Sequence, residues 1–231
     1  SLMNLEKGAF VDLNKAYSKL AVLSGATVNC LAFSSNSLWI GTSQGLYRLN
    51  VNGGSLERYV HDPANGLSIP DNNITSLLIS KADMLLIGTG TSLCITDQHS
   101  GLFDRPLSDA NQRNASRISK IKAMLEDESG DIWIATSGNG LFVWSPKGGD
   151  IENLTYDHNN PYSLRNNEVL SLYRDFSGII WVGTNGLDVY NPKKEKFTLY
   201  DYVPYSNDKL IFRNIHPIYL DDYGVLWIGS K

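Results

Sequence analysis

Three arginines carry this chain's best prospect of chemistry. Arg117, Arg165 and Arg213 each stand just before an apolar, strand-like run, at matching places in successive stretches. A guanidinium presents its N–H donors in a planar fork that suits carboxylates and hydroxyl-rich partners. Gathered at one mouth, the three would hold an acidic or hydroxyl-rich ligand. The plainer alternative is that each is solvated or paired with an acid of a neighbouring segment. Polar turns at Gln44, Asn139 and Asn185, and Tyr162 in a long link, are further candidate ligand contacts. His61, His99, His158 and His216 fall at unrelated places, so no metal site is expected. No Gly-x-Ser-x-Gly elbow or phosphate loop occurs, so neither catalytic residues nor a cofactor are expected.

Composition narrows the classes further. The 231 residues carry a net charge of −4, which leaves no basic footprint for nucleic acid. No apolar run approaches the roughly 18 residues a membrane helix needs. The opening Ser1-Leu2-Met3-Asn4-Leu5-Glu6-Lys7 lacks the apolar core of a signal peptide. Cys30 and Cys94 sit at non-equivalent places and are expected to be small apolar core residues.

The elements that must position the arginines come from one repeated stretch. Leu38-Trp39-Ile40-Gly41-Thr42 recurs with its first residue at 85, 132, 180 and 226, in steps of 47, 47, 48 and 46. Both faces of this strand are apolar, so both must be covered. The glycine beside each indole leaves space for a neighbouring sheet. Short strands at this period imply an all-β propeller of four-stranded antiparallel blades.

In the first whole repeat, strands are expected at Val28–Phe33, Leu38–Gly41, Leu46–Asn50 and Leu56–Val60. The second has Ile74–Ser80, Met84–Gly88, Leu93–Thr96 and Leu102–Leu107, with Leu86 in the tryptophan's place. The third has Ile118–Leu125, Ile132–Thr136, Leu141–Trp144 and Ile151–Thr155. The fourth has Val169–Arg174, Ile179–Gly183, Leu187–Asn191 and Lys196–Tyr200. The last offers Asn214–Leu220 and Val225–Ser230. Before them, Gly8–Asp12 reads as a third strand and Lys19–Val22 as a fourth. The expected units are therefore 1–26, the outer strands of a preceding blade, then blades at 27–72, 73–117, 118–165 and 166–212, and two inner strands at 213–231. About five blade equivalents suggest an open arc of a larger, seven-bladed ring, its apolar ends covered by another chain or further sequence. The rival arrangement sets Phe10 beside Ile228 and closes five blades.

Parity places the Asp/Gly turns on one face of the disc. Gln44, Asn139, Asn185 and the long links fall on the other, where a small ligand is expected. Asp62 and Asp157, Ser68 and Ser163, and Asn72 and Asn167 are pairs 95 residues apart in two links. Matched polar residues of this kind hold turns through side-chain to backbone bonds.

Ser163-Leu164-Arg165-Asn166-Asn167, Asp175-Phe176-Ser177-Gly178, Trp181 and Gly186-Leu187 together resemble the two-component regulator propeller repeat. The resemblance implies a periplasmic, ligand-sensing region of a hybrid two-component histidine kinase of the Bacteroidetes type. It implies an oligosaccharide as ligand and control of polysaccharide-utilisation genes. It also implies further blades and downstream sensor domains as partners, with a homodimer a further expectation. This region itself is expected not to be an enzyme. A propeller lyase or hydrolase of the streptogramin-lyase type and a protein-interaction scaffold are the competing readings.

Overall fold

A strand that is apolar on both faces must be sandwiched, and stacked sheets are what the chain builds. The computed structural model describes residues 2–4, 9–11, 22–23, 25–107, 118–191, 196–200, 215–221 and 223–230. A hairpin of β1 (Leu2–Asn4) and β2 (Ala9–Val11) comes first. Blade I follows as β3 (Val28–Ser34), β4 (Ser37–Thr42), β5 (Gly45–Asn50) and β6 (Leu56–Tyr59). Blade II has β7 (Ile74–Ile79), β8 (Leu85–Thr89) and β9 (Leu93–Thr96). Blade III has β10 (Ile121–Glu126), β11 (Ile132–Thr136), β12 (Leu141–Trp144) and β13 (Ile151–Leu154). Blade IV has β14 (Ser171–Arg174), β15 (Ile180–Gly183), β16 (Leu187–Asn191) and β17 (Lys196–Tyr200). Two strands of blade V, β18 (Ile215–Leu220) and β19 (Leu226–Ser230), close the series.

Every pairing is an antiparallel meander, and each copy of the repeated stretch is a second strand. The first strands β3, β7, β10, β14 and β18 lie side by side, as the inner strands of a propeller do. Four of them carry a register break, as between Ile74 and Ser76. In β18 the break spans Pro217, where no ladder hydrogen bond is demanded of it.

Three strand expectations need correction. Ala9–Val11 pairs with Leu2–Asn4, while Val22 and Leu23 lie in a turn and the rest of the expected strand Lys19–Val22 lies outside the described residues. One 47-residue period later stand Leu56 to Arg58, so β2 holds a fourth-strand place, not a third. A glycine followed by apolar residues does not distinguish the two. In blade II the expected strand Leu102–Leu107 is reduced to one bridge, Ile95 with Asp104. Phe103 N–H donates instead to Leu67 O at 2.9 Å, and Pro106 has no N–H to give. First strands also start late in blade IV, because Val169 N–H is spent on Thr136 O of the preceding blade at 3.0 Å.

Phe10 pairs with Met3 and Ile228 with Ile218, and these two hairpins stand as separate two-stranded sheets.

The glycine of each second strand sets how closely blades approach. A methyl on Gly41 would lie 2.7 Å from Cγ2 of Ile74 in the next blade. On Gly88 it would lie 2.6 Å from Cγ2 of Ile121, and on Gly183, 2.7 Å from Ile215 O. Blade III breaks the pattern with Ala135, and there the facing residue is Val169, not isoleucine. One methyl is added on one blade and one removed from the next. Gly88→Ala should therefore cost about 1–3 kcal/mol through overpacking. Adding Ile121→Val should recover part of that loss in urea denaturation. A double variant no more stable than Gly88→Ala would show that the two residues do not share the space.

Candidate functional site

The long links are built by their own side chains. In the first, Ser68 Oγ accepts from Asp62 N–H and donates to Asp62 O, both at 3.0 Å. In the second, Ser163 repeats this with Asp157 at 3.0 and 3.1 Å. Asn72 and Asn167 accept from the backbone N–H of His61 and Tyr156, at 2.7 and 2.8 Å. The 95-residue pairs are thus turn-holding residues.

That shared scaffold presents different surfaces. In the first link Ser68 is buried, and the carbonyls of Leu67 and Ser68 accept from Phe103 N–H at 2.9 Å and an Arg105 guanidinium N–H at 3.3 Å. The matching Tyr162 and Ser163 of the second link border a cavity of about 540 Å³. Glu152, Asn153, Asn160 and the rings of Tyr162 and Tyr190 line it. Asn153 Oδ1 is buried without a hydrogen-bond partner, and Tyr162 is 53% exposed at the rim. Tyr190 is fixed by Trp133, ring centroids 4.9 Å apart. Hydroxyls, amides and a carboxylate between two aromatic rings can hydrogen-bond and stack on a sugar-sized molecule.

The other candidate residues are dispersed. Arg117 and Arg213 lie outside the described residues. Arg165 lies across the blade IV turn, its Cδ 3.2 Å from where a methyl on Gly186 would stand. Asn185 belongs to that turn, and its Oδ1 is buried without a partner. Asn139 donates to Ser119 Oγ at 3.3 Å, and the flanking Gly138 and Gly140 N–H groups donate to Asn167 O. Asn139 and Asn185 thus occupy equivalent turns of blades III and IV, and of the candidates only Arg165 lies against the turn that carries Asn185. Tyr162 sits further along the same link. Gln44 is two blades away, exposed, donating to Gly25 O at 3.2 Å.

Two sets of residues were missed in the sequence. Asp127, Asp175 and Asp221 each accept the indole N–H of the tryptophan six residues on, at 2.9, 2.9 and 2.8 Å. The constant Asp-x5-Trp spacing was the available signal. Burial alone would raise the Asp175 carboxyl. Bonds from Ser177, the Trp181 indole and the Ile179 N–H outweigh it, and the net shift is downward. Asp188 is the other omission, a carboxylate 1% exposed where blades I to III carry Tyr47, Cys94 and Phe142. It accepts from Thr184 Oγ1 at 3.0 Å and from Arg165 N–H at 3.3 Å. Burial pushes it up to about 6, against the pull of those bonds and of the Arg165 charge.

The family description "two component regulator propeller" matches residues 116–138 and 163–186. Those two stretches are two-component regulator propeller repeats by this match. Among solved structures it is similar to the extracellular domain of BT4673 of B. thetaiotaomicron, described as a one-component system, at 27% identity with a TM-score of 0.71. A second structure of the BT4673 extracellular domain, described as a hybrid two-component system, gives 25% and 0.71. Each comparison covers 88% of this chain and 26% of the other. The extracellular domain of the hybrid two-component system BT3049 of the same organism shares the fold at 20% identity and a TM-score of 0.64, over 88% of this chain and 32% of that one. The chain thus spans about a quarter to a third of the length of these structures. No curated protein matches it in sequence.

Asp188 gives a pH prediction. Its folded pKa lies above its unfolded value, so its burial costs nothing well below pH 4 and progressively more up to about pH 6. Asp188→Asn should therefore stabilise the protein at pH 7 by up to about 3 kcal/mol relative to its effect at pH 4. Denaturation midpoints at the two pH values measure this. An equal effect at both would show that the carboxyl does not titrate abnormally.

Proposed function

We propose that this chain is a ligand-sensing segment of an extracytoplasmic sensor of the hybrid two-component type, and that its ligand is an oligosaccharide. The cavity between β13, the second link and Tyr190 supports this reading most directly. It offers polar hydrogen-bonding groups framed by Tyr162 and Tyr190, and no cluster of metal-ligating side chains occurs among the described residues. The similarity to extracellular domains supports a periplasmic setting, in a protein whose downstream sensor domains would pass the signal across the inner membrane. Among the described residues no helix is long and apolar enough to cross a membrane. In this reading the sensed sugar controls genes for polysaccharide use.

Calorimetric titration with neutral and acidic plant-polysaccharide oligosaccharides tests the ligand class. At least one should bind saturably, and Tyr162→Ala should weaken it about tenfold, the loss of one well-placed contact. No binding across the panel, or binding indifferent to Tyr162→Ala, would overturn the assignment.

The proposal extends to partners. Trp227 is 60% exposed while Trp39 and Trp133 are 1% and 3% exposed under the next blade. Further blades of a wider, seven-bladed ring, or a second copy, would cover that surface. Light scattering of the 231-residue chain alone should show association that Trp227→Ser reduces. A monodisperse monomer would count against a covered face.

A further inference from the structure

Between blades II and III, on the face opposite the long links, lies a second cavity of about 450 Å³. Its origin is visible in the repeat. Each second-strand indole packs towards the following blade: Trp39 is clustered with Leu85, Ile87 and Cys94, and Trp133 stacks on Tyr190. Blade II has Leu86 in that place, and Ser80 stands six residues earlier where blades III to V have aspartate. The indole and its acceptor are thus missing together. The opposite wall is intact, since Trp144 of blade III holds the place that Tyr190 holds in blade IV, each paired with the first residue of its repeated stretch. Leu86, Met84, Ile95 and Ile132 complete the apolar lining with Trp144.

The charges at the rim are unequal in availability. Lys81 Nζ donates to Asp127 O at 2.5 Å and Glu128 O at 3.3 Å. Glu126 accepts from Lys81 N–H at 2.7 Å, and Glu128 pairs with Arg174 at 3.2 Å. Lys147, exposed at the rim, has no hydrogen bond or ion pair to any described residue. Lys81 and Glu126 spend their hydrogen bonds on backbone groups, so Lys147 is the charged side chain at the rim free to meet a ligand.

We infer that this vacated indole slot is a binding site for a small planar aromatic acid. Its ring enters over Met84 and Ile95 against the edge of Trp144, above the buried Leu86, and its acidic group meets Lys147. An aromatic pair of this geometry contributes beyond simple area burial. The site is separate from the polar cavity at Tyr162 and does not depend on a sugar binding there.

Calorimetric titration with indole-3-acetate tests it. Saturable binding is expected, and Leu86→Trp, which refills the slot from within, should weaken it more than about tenfold. Ala82→Tyr at the exposed mouth should weaken it as well and disturbs no core residue, so the test survives if Leu86→Trp does not fold. Lys147→Glu should weaken indole-3-acetate about threefold, the scale of an exposed ion pair, and leave neutral indole unchanged. Absence of saturable binding would overturn the inference, as would binding that survives Ala82→Tyr. Indole and indole-3-acetate bound alike, with no effect of Lys147→Glu, would overturn the acidic class.

Discussion

A buried indole must have its N–H bonded, because an orphaned donor in a dry interior costs more than the bond gains in water. The blade stack is arranged around that demand. Blades III to V answer it within one hairpin, where the aspartate that holds the first turn also receives the indole. In blade IV, Asp175 Oδ1 accepts from the N–H groups of Ser177 and Ile179 while Oδ2 accepts from Trp181. One carboxylate therefore sets the turn, the rotamer of the tryptophan and the face offered to the next blade. Blade I has no such aspartate. Trp39 donates instead to Gln98 Oε1 at 3.1 Å, and Gln98 Nε2 in turn donates to Asp83 O. Its acceptor comes from blade II, so the first seam is fastened between blades, not within one.

Much of this architecture could be read from the chain. Five copies of one stretch at a near-constant step fix the number and order of second strands, and two-sided apolarity requires stacking. The glycine after the indole and isoleucine also pointed to a close approach of blades, which the crowding at Gly41, Gly88 and Gly183 explains. What stayed hidden was the partner of each departure. Ala135 reads as a lapse from glycine until Val169, 34 residues on, is seen across the seam. Such compensation is non-local, and a repeat aligned on itself compares equivalent positions, not facing ones. The fourth strand of blade II failed for a related reason. The apolar pattern of Leu102 to Leu107 was sufficient for a strand, but Phe103 found better burial against Tyr59, 5.1 Å between ring centroids.

The site was less legible than the fold. Equal spacing of Arg117, Arg165 and Arg213 argues for equal placement, yet it says nothing of where a flexible side chain ends. Arg165 turns onto the blade IV turn at Gly186, while its backbone N–H donates to the buried Asp188. The polar link residues were legible in their structural role because short side chains next to turns have few alternatives. Tyr162 differs in kind: its backbone N–H is held by Asn160 at 3.0 Å while the ring is left outward.

The places with room for chemistry are the places where the repeat is broken. A regular blade consumes its polar groups in turns and its apolar groups in seams, and leaves little available to a ligand. Leu86 in place of tryptophan opens one seam, and an uncovered second link opens a polar hollow beside Tyr190. Asp188 places an acid in a slot that is apolar in three other blades. Each departure has a cost that the regular blades can carry, because every blade is supported on both sides by neighbours that keep the pattern. A repeat fold of this kind can therefore acquire sites one blade at a time, with the indole and its aspartate lost as a unit where a cavity is to form.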